Sequence, residues 1–363
     1  MSTAEFLDAA GDLLAIPSTA DRPEQLRQAL EFAVRAAGPA TVEWFESGGK
    51  PSALLYHGST RPAFRALLNA HLDVVPAAPE QFRPRREGDR LYARGAHDMK
   101  VSALLEVLTF RELAGSLPYP LGLQLVTDEE VGGRHGTRYQ LEQGVSAAFV
   151  LIGENSNLDI VADSKGLVHA WLHATGRAAH GAYPWLGSNA LVSLIGTVNN
   201  LLARYPVVRE EAWRTTVNVA RMDTTNRAVN QIPADASAWL DIRFPPEDAD
   251  FSGQPESRIL AHLSQFCEPG VTVTIDHTDP PHHADHELPE LKQLRQAARA
   301  QGYLGNFLRK HGAADGRFYS QRGIPAVAFG VGGAGQHGPE EYADLTTVEP
   351  YRRALAEFLR DLS

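Results

Sequence analysis

Four short apolar runs with almost no polar interruption are the feature that most restricts how this chain can fold. They span residues 64–69, 121–126, 147–152 and 324–329, and helical patterns such as 101–113 and 287–300 separate several of them. A strand with one solvated face alternates apolar and polar residues, whereas a strand buried on both faces is apolar throughout. The runs therefore predict an α/β fold in which helices cover both faces of a mostly parallel sheet.

The middle of the chain has a different pattern. It predicts strands at 167–175, 215–221, 236–242 and 271–275, with helices at 188–204 and 256–266. This order, β-α-β-β-α-β, is that of the ferredoxin-like motif. We therefore expect a smaller α+β domain at residues 166–282, inserted into a larger domain formed by residues 1–165 and 283–363. Two domains also agree with the length of 363 residues.

Composition excludes several classes of function. The formal net charge of −10 argues against nucleic-acid binding, which needs a basic surface. The single cysteine, Cys267, excludes an internal disulfide and any metal site with several cysteines. No apolar run is long enough to cross a membrane, and residues 1–6 do not resemble a signal peptide, so a cytoplasmic location is expected.

Acidic and histidine residues follow each of the four apolar runs. The first run leads into His71-Leu72-Asp73, the second into Asp128-Glu129-Glu130 and the third into Gly153-Glu154, while His337 follows the fourth after a glycine-rich loop. Asp98 directly precedes a predicted helix. Because the carboxyl ends of parallel strands lie at one edge of a sheet, these side chains should converge there.

Such a set suits a hydrolytic site with two metal ions. Imidazole nitrogen and carboxylate oxygen bind zinc, and a carboxylate can bridge two ions that together lower the pKa of a shared water. A further carboxylate, not bound to metal, would move the proton. Taken singly, the His-x-Asp triplet could be incidental, the Glu-Glu pair a solvated turn and Asp98 a helix N-cap. Their succession after buried strands favours the metal site.

These motifs resemble the co-catalytic zinc metallopeptidase family of acetylornithine deacetylase, succinyl-diaminopimelate desuccinylase and glutamate carboxypeptidase. The similarity extends from about residue 67 to the C-terminus and includes the segments 95–100, 127–130 and 335–337. The resemblance implies that one metal is bound by His71, Asp98 and Glu154. It implies that the other is bound by Asp98, Glu130 and His337, with Asp98 as the bridge.

The resemblance also implies roles for residues beside the metals. Glu129 would be the general base and then the proton donor, and Asp73 would fix the tautomer of His71. In the inserted domain, segment 178–190 is similar to the lid motif of the family. There, His180 would stabilise the oxyanion in the active site of the partner subunit, while Asn230 and Arg243 would bind the substrate. Alternatively, His180 is simply exposed, Asn230 serves a turn, and Arg243 pairs with Asp241 or Glu247.

The resemblance implies a hydrolase that cleaves the amide bond of an N-acyl amino acid or a small peptide, and a homodimer formed through the lid domain. The residues leave open a dipeptidase or carboxypeptidase of the same family, and a non-catalytic metal or ligand carrier. Two divalent ions are expected, zinc first, with cobalt or manganese as alternatives. His97, His135 and His311 receive no role.

Overall fold

The computed structural model describes residues 3–362, so Met1, Ser2 and Ser363, which belong to the predicted larger domain, lie outside the described residues. The chain divides into two compact units. Within the described chain, unit 1 comprises residues 3–162, 283–309 and 314–362, and unit 2 comprises residues 163–282 and 310–313. None of the described helices has the length and apolarity needed to cross a bilayer.

The α-helices are listed here in chain order: α1 (Thr3–Leu14), α2 (Pro23–Ala36), α3 (Val101–Leu113), α4 (Thr137–Glu142), α5 (Ala190–Arg204), α6 (Glu256–Ser264), α7 (Pro289–Ala300), α8 (Gly316–Ser320) and α9 (Val348–Asp361).

The strands are β1 (Thr41–Ser47), β2 (Lys50–Tyr56), β3 (Phe64–His71), β4 (Arg85–Glu87), β5 (Arg90–Tyr92), β6 (Leu121–Val126), β7 (Ala147–Ile152), β8 (Ile160–Ser164), β9 (Gly166–Thr175), β10 (Thr216–Asp223), β11 (Asp235–Phe244), β12 (Val271–Asp279), β13 (His282–His283), β14 (Phe307–Lys310), β15 (Ala326–Ala328), β16 (Gly333–Ala334) and β17 (Tyr342–Asp344).

The main sheet contains nine strands in the order β1-β2-β6-β3-β7-β15-β8-β13, with β14 paired to β8. Its centre is parallel, because β6, β3, β7 and β15 pair in the same direction. β1 and β2 form an antiparallel hairpin at one side, and β2 pairs antiparallel with β6. This arrangement confirms the predicted fold class, and three of the four central strands begin at the predicted residue.

Successive residues of the central strands enter two different hydrophobic cores, as expected for side chains that alternate between the faces of a sheet. On β7, Phe149 and Leu151 belong to one core, whereas Val150 and Ile152 belong to the other. α3 contributes to the first core and is buried on nearly all sides. Burial on both faces explains why these strands lack alternation in the sequence.

Unit 2 is built on a four-stranded antiparallel sheet in the order β10-β11-β9-β12, with α5 and α6 as its helices. Alternate residues of β9, from Val168 to Ala174, pack with Leu194 of α5 and Leu263 of α6 in a separate core. The order of elements is the ferredoxin-like one. The unit boundaries lie close to the predicted 166 and 282, but residues 310–313 also belong to unit 2.

A third sheet belongs to unit 1 and has four short antiparallel strands in the order β16-β17-β5-β4. β17 pairs with β5 so that Tyr342 lies opposite Tyr92. This pairing brings the segment after His337 beside the segment that leads to Asp98.

Candidate metal centre

Three of the candidate ligands lie at the carboxyl ends of parallel strands in unit 1. His71 is the last residue of β3, Glu130 follows β6 by four residues, and Glu154 follows β7 by two. The parallel pairing of β6, β3 and β7 places these three ends side by side. The expected edge of the sheet therefore brings them together.

Asp98 reaches the same place from the turn before α3. Its backbone is extended (φ −127°, ψ 96°), and the Asp98–Met99 peptide bond is cis. Lys100, rather than Asp98, is the N-cap residue of α3. The Asp98 carboxylate lies between two imidazoles: Oδ1 is 3.1 Å from His71 Nε2, and Oδ2 is 3.3 Å from His337 Nε2.

The candidate ligands form two groups that share Asp98. His71, Asp98 and Glu154 make up the first ligand group, and Asp98, Glu130 and His337 make up the second ligand group. In each group the ligand atoms lie within 4.8 Å of one another. His71 Nε2 is 3.4 Å from Glu154 Oε1, and His337 Nε2 is 3.1 Å from Glu130 Oε2.

The pKa values show how strongly these charges interact. Burial alone would lower the pKa of His71, but contacts with Asp73, Asp98 and Glu154 raise that pKa well above its usual value. Burial would raise the pKa of Asp98, yet His337 and His71 hold it well below its usual range. Burial, together with the negative charge of Asp98, raises the pKa of Glu130 to about 7.

Glu129 belongs to neither ligand group. Burial raises the pKa of its carboxyl group well above the usual value, and the negative charges of Glu154, Asp315 and Asp98 raise it further. Its backbone is fixed by Asp73, whose Oδ1 and Oδ2 accept hydrogen bonds from the amides of Glu129 (3.2 Å) and Glu130 (3.0 Å).

Asp73 also contacts His71, chiefly through its backbone. The carbonyl oxygen of Asp73 is 3.1 Å from His71 Nδ1, whereas its carboxylate Oδ1 is 3.5 Å away. A hydrogen bond to this carbonyl leaves the proton on Nδ1 and turns the lone pair of Nε2 toward Asp98 and Glu154. That is the tautomer a metal ligand needs.

Two buried residues at the site are absent from the sequence prediction. The Glu341 carboxylate pairs with Arg94 and accepts hydrogen bonds from three amides of the turn that carries Asp98. In the sequence, Glu340-Glu341 looks like a solvated acidic pair within a polar loop. Only Glu340 is exposed, with 71% of its side chain accessible, whereas Glu341 is buried. Which glutamate turns inward depends on the pairing of β17 with β5, which carries no motif.

A buried network that includes Asp315 lies beneath the Glu129 loop. Thr137 donates a hydrogen bond to Asp315, and Arg317 donates to the carbonyl of Gly132 (2.8 Å). Burial raises the pKa of Asp315 to about 7, although the charge of Arg317 opposes this. Gly133 has φ +63°, and a Cβ there would lie 2.0 Å from Asp315 Oδ1, so the loop requires glycine at this position.

The remaining predicted residues lie in unit 2. His180 is exposed, and its Nδ1 accepts a hydrogen bond from the amide of Ala182 (3.1 Å). The carbonyl of the exposed Asn230 accepts from Gly181 (2.7 Å). Arg243 Nε donates to Asp241 Oδ1 at 2.7 Å, and its Nη2 donates to Oδ2 at 3.3 Å. His180 and Asn230 are therefore neighbours, whereas Arg243 pairs within its own strand.

Two of the histidines without a predicted role have partners away from the ligand groups. His135 Nδ1 lies 3.0 Å from the Ser47 hydroxyl, and His311 Nε2 lies 3.2 Å from Glu211. The side chain of His97 does not belong to either ligand group.

The two ligand groups fit divalent metal ions. Both offer only imidazole nitrogen and carboxylate oxygen, the donors of catalytic zinc sites. Tetrahedral bonds to zinc leave ligand atoms roughly 3.4 Å apart, and the contacts within both groups are close to this spacing. Burial, together with the neighbouring negative charges, raises the pKa values of Glu129 and Glu130, and divalent ions would place positive charge beside these carboxyl groups.

Comparison with known proteins supports the same class. The family model described as peptidase family M20/M25/M40 matches residues 67–361. A Mycobacterium tuberculosis protein, provisionally named succinyl-diaminopimelate desuccinylase DapE, is 30% identical over 345 residues, covering 90% of this chain and 92% of the relative.

Solved structures agree in fold. A tripeptidase from Staphylococcus aureus superposes with a TM-score of 0.80 at 17% identity, covering 100% of this chain and 99% of that structure. The Bacillus subtilis YXEP protein, described as a dinuclear metal binding peptidase from the M20 family, superposes with a TM-score of 0.67 at 16% identity, covering 98% and 97%.

The mixed α/β fold and the matched family model together define a metal-dependent hydrolase. The chain belongs to peptidase family M20/M25/M40. This membership confirms the family resemblance and the hydrolase class predicted from the motifs.

Proposed function

We propose that this enzyme hydrolyses the amide bond of an N-acyl amino acid or a small peptide at a dinuclear centre. One ion would be held by the first ligand group and the other by the second ligand group. The observation that carries the proposal is the position of Asp98, which directs one carboxylate oxygen toward each group. A carboxylate in this position is suited to bridge two ions.

Two divalent ions would supply a water with a lowered pKa and would polarise the carbonyl of the substrate. Zinc suits the donor set best, and cobalt or manganese binds similar ligands. The M20 neighbour described as dinuclear supports the number of ions. We further propose that the enzyme is cytoplasmic, as expected from the sequence.

Glu129 is assigned as the general base. It would accept a proton from the attacking water and then donate that proton to the amine nitrogen as the C–N bond breaks and the new C–O bond remains. Glu129 is not a member of either ligand group, so its carboxylate would not be occupied by a metal ion. Its position next to Glu130 would nevertheless keep it beside the centre. Asp73 would keep the Glu129 backbone and the His71 ring in position.

Unit 2 would supply the remaining groups. Because His180 Nδ1 accepts a backbone hydrogen bond, the proton of the neutral ring lies on Nε2, which can donate to an oxyanion. Arg243 would bind the substrate carboxylate in a bidentate pair, exchanging Asp241 for the ligand. Asn230, beside His180, would contact the substrate as well.

The Mycobacterium tuberculosis relative, whose match covers 90% of this chain, is named as a desuccinylase. This name favours the deacylase hypothesis over a dipeptidase or carboxypeptidase. The structural neighbour described as a tripeptidase supports the alternative, that this enzyme is a peptidase. A non-catalytic carrier would have no use for Glu129 and is the least favoured candidate.

A homodimer through unit 2 is part of the proposal. Within this unit, α5 exposes Val192 and Ile195, and the preceding loop exposes Trp185 and Leu186. Large apolar side chains on one helix and its adjoining loop are typical of a protein interface.

The test combines metal analysis with kinetics on matched substrates. The purified enzyme should contain two equivalents of divalent metal and should hydrolyse N-acetyl or N-succinyl amino acids faster than dipeptides. Glu129→Gln should keep both metals and lose turnover by a factor of at least about a thousand, in line with the loss of a general base. Glu142→Gln, at an exposed glutamate of α4, serves as the control.

Each alternative predicts a different result. Preference for dipeptides would favour the peptidase, and two metals without turnover on any amide would favour the carrier. Substantial hydrolysis by the Glu129→Gln variant would refute the assignment of the base.

A further inference from the structure

The Arg94–Glu341 ion pair lies in unit 1 and is almost fully buried, with 3% and 0% of the two side chains exposed. The pairing of β5 with β17 creates it: Tyr92 lies opposite Tyr342, and the amide of Ala93 donates to the carbonyl of Glu341. A charge pair removed from water to this extent is costly unless its other hydrogen-bonding positions are used. Most of these positions have backbone partners in the two loops that carry Asp98 and His337, whereas Arg94 Nε has no hydrogen-bond partner within the described residues.

On one side, Glu341 fixes the turn of the bridging carboxylate. Its Oε1 accepts hydrogen bonds from the amides of Gly95 (3.0 Å), His97 (3.1 Å) and Asp98 (3.1 Å). Three amides directed at one carboxylate oxygen define the path of the backbone on both sides of His97. The orientation of Asp98 therefore depends on Glu341.

On the other side, Arg94 fixes the loop of His337. Its Nη2 donates to the carbonyls of His337 (2.9 Å) and Gly338 (3.2 Å). His337 has φ +60°, a left-handed conformation that is unfavourable for a residue with a Cβ. Its side chain is 48% exposed, whereas that of His71 is 2% exposed. Packing therefore holds His71, but His337 depends on its backbone hydrogen bonds.

We propose that the Arg94–Glu341 pair is a positioning element that sets the affinity of the second ligand group for its metal. The pair orients two of that group's three members, Asp98 and His337, relative to each other. The first ligand group shares only Asp98 with it and is otherwise held by buried residues at the ends of β3 and β7. Loss of the pair therefore weakens the second metal far more than the first. This inference rests on the proposed dinuclear centre.

The test uses the full chain and cobalt as the probe. Metal-free protein is titrated with Co²⁺ while visible absorption and chelator competition report each binding step. The main variant is Arg94→Met combined with Glu341→Gln, which removes both charges and so leaves no unpaired buried ion. Arg94→Lys is the second variant, because the ammonium group places its donors on one nitrogen and cannot reproduce the planar fork with which Arg94 reaches Glu341 through Nη1 and the two carbonyls through Nη2. Glu340→Gln, at the exposed neighbour of Glu341, is the matched control.

Wild type and the Glu340→Gln control should bind two equivalents of Co²⁺. In the double variant the first equivalent should bind within about threefold of wild type, and the second should bind 10–100-fold more weakly, the usual effect of losing groups that orient metal ligands. Arg94→Lys should weaken the second equivalent in the same direction. The kcat of both variants should recover as cobalt is raised, since the catalytic residues are intact.

If both variants bind two equivalents of Co²⁺ as tightly as wild type, the inference is wrong. It is also wrong if both binding steps weaken equally, because that result indicates a general structural role for the pair. If the double variant does not fold, as judged by near-ultraviolet circular dichroism, the Arg94→Lys titration decides by the same criteria. Failure of the proposed function is distinguishable, because wild type itself would then bind fewer than two equivalents.

Discussion

Glu106 lies on α3 with its carboxyl group fully buried, and neither oxygen accepts a hydrogen bond of good geometry from the described chain. A Cβ at Gly153 would lie 2.9 Å from its Cδ, so the space beside it is filled. Burial raises the pKa of Glu106 well above 4.5, and the nearby Tyr351 hydroxyl offsets only part of this effect. The folded protein thus keeps this carboxyl group protonated at a pH where the unfolded chain has lost the proton.

The sign of the pH dependence follows from this difference. At a pH well below the ordinary value of 4.5 both states hold the proton, and Glu106 contributes no pH dependence to the free energy of unfolding. Above it the unfolded chain binds fewer protons than the folded protein, so the free energy of unfolding falls as the pH rises. The decrease amounts to at most about 1.4 kcal/mol per pH unit and ends at the pKa of the folded state.

We expect Glu106→Gln to remove this pH dependence. The amide is nearly the same size and does not ionise, so the variant should gain stability relative to wild type as the pH rises from 5 to 8, by about 1 kcal/mol or more at pH 8. Urea unfolding of both proteins across this range measures the gain. Glu112→Gln, at an exposed glutamate of the same helix, is the control. A constant difference between Glu106→Gln and wild type at every pH would contradict the assignment.

The turn Glu129–Val131 is held at its start by Asp73 and near its end by Arg317. The Asp73 carboxylate uses both oxygens for the amides of Glu129 and Glu130. An asparagine side chain has only one oxygen and would present an NH₂ group to the other amide. The proposed base would then lose one of the two bonds that set its position.

Asp73→Asn should therefore lower kcat by about 10–100-fold, with KM little changed and both metals retained. Steady-state kinetics and metal analysis of the same preparation separate loss of position from loss of metal. Asp12→Asn, at an exposed position on α1, controls for the change of charge. An unaltered kcat would mean that Arg317 and the surrounding network position Glu129 without Asp73.

The sequence predicted the elements whose pattern is local. β6 and β7 and helix α3 have the predicted ends, because an apolar run or a helical stretch bounded by polar residues is visible in a short window. The hairpin of β1 and β2 was not predicted, although Gly48-Gly49 at its turn is a hairpin signal. The two- and three-residue strands β4, β5, β16 and β17 are too short to show any period.

The same distinction applies to the site. The convergence of His71, Glu130 and Glu154 could be deduced from the parallel sheet, because each follows a recognisable strand. The choice of Glu130 rather than Glu129 as a metal ligand came from the family resemblance. Arg94 and Glu341 were not, because their contact spans 247 residues and depends on two strands of three residues each. Tertiary packing buries Glu341 and leaves its neighbour Glu340 exposed. The two residues are identical in the sequence, which therefore does not show which of them turns inward.

Both compact units are built from segments that are discontinuous in the sequence. Residues 310–313 belong to unit 2, since the amide of Lys165 donates to the carbonyl of Lys310 and His311 contacts Glu211. No change in composition marks this short return. The inserted unit itself was predictable because its order of strands and helices is a known motif.

The proposed dimer gives the last prediction, which concerns where His180 acts. In the proposal, each active site combines Glu129 of one subunit with His180 of the partner subunit. The variants Glu129→Gln and His180→Ala should each be inactive or nearly so. In a mixed dimer, one site lacks both groups, whereas the other keeps Glu129 from one subunit and His180 of the partner subunit. Mixing the two variants under conditions that exchange subunits should therefore restore about a quarter of the wild-type activity.

Restoration of activity, measured after exchange and compared with each variant alone, is the readout. Val192→Glu with Ile195→Glu, introduced into both chains, places charges on the exposed face of α5 and should abolish both the dimer and the restoration. If His180 acts within its own subunit, every site in the mixed dimer lacks one of the two groups, and exchange restores nothing. A dimer that exchanges subunits without regaining activity would therefore assign His180 to its own active site, because the two arrangements differ only in which chain supplies the oxyanion donor.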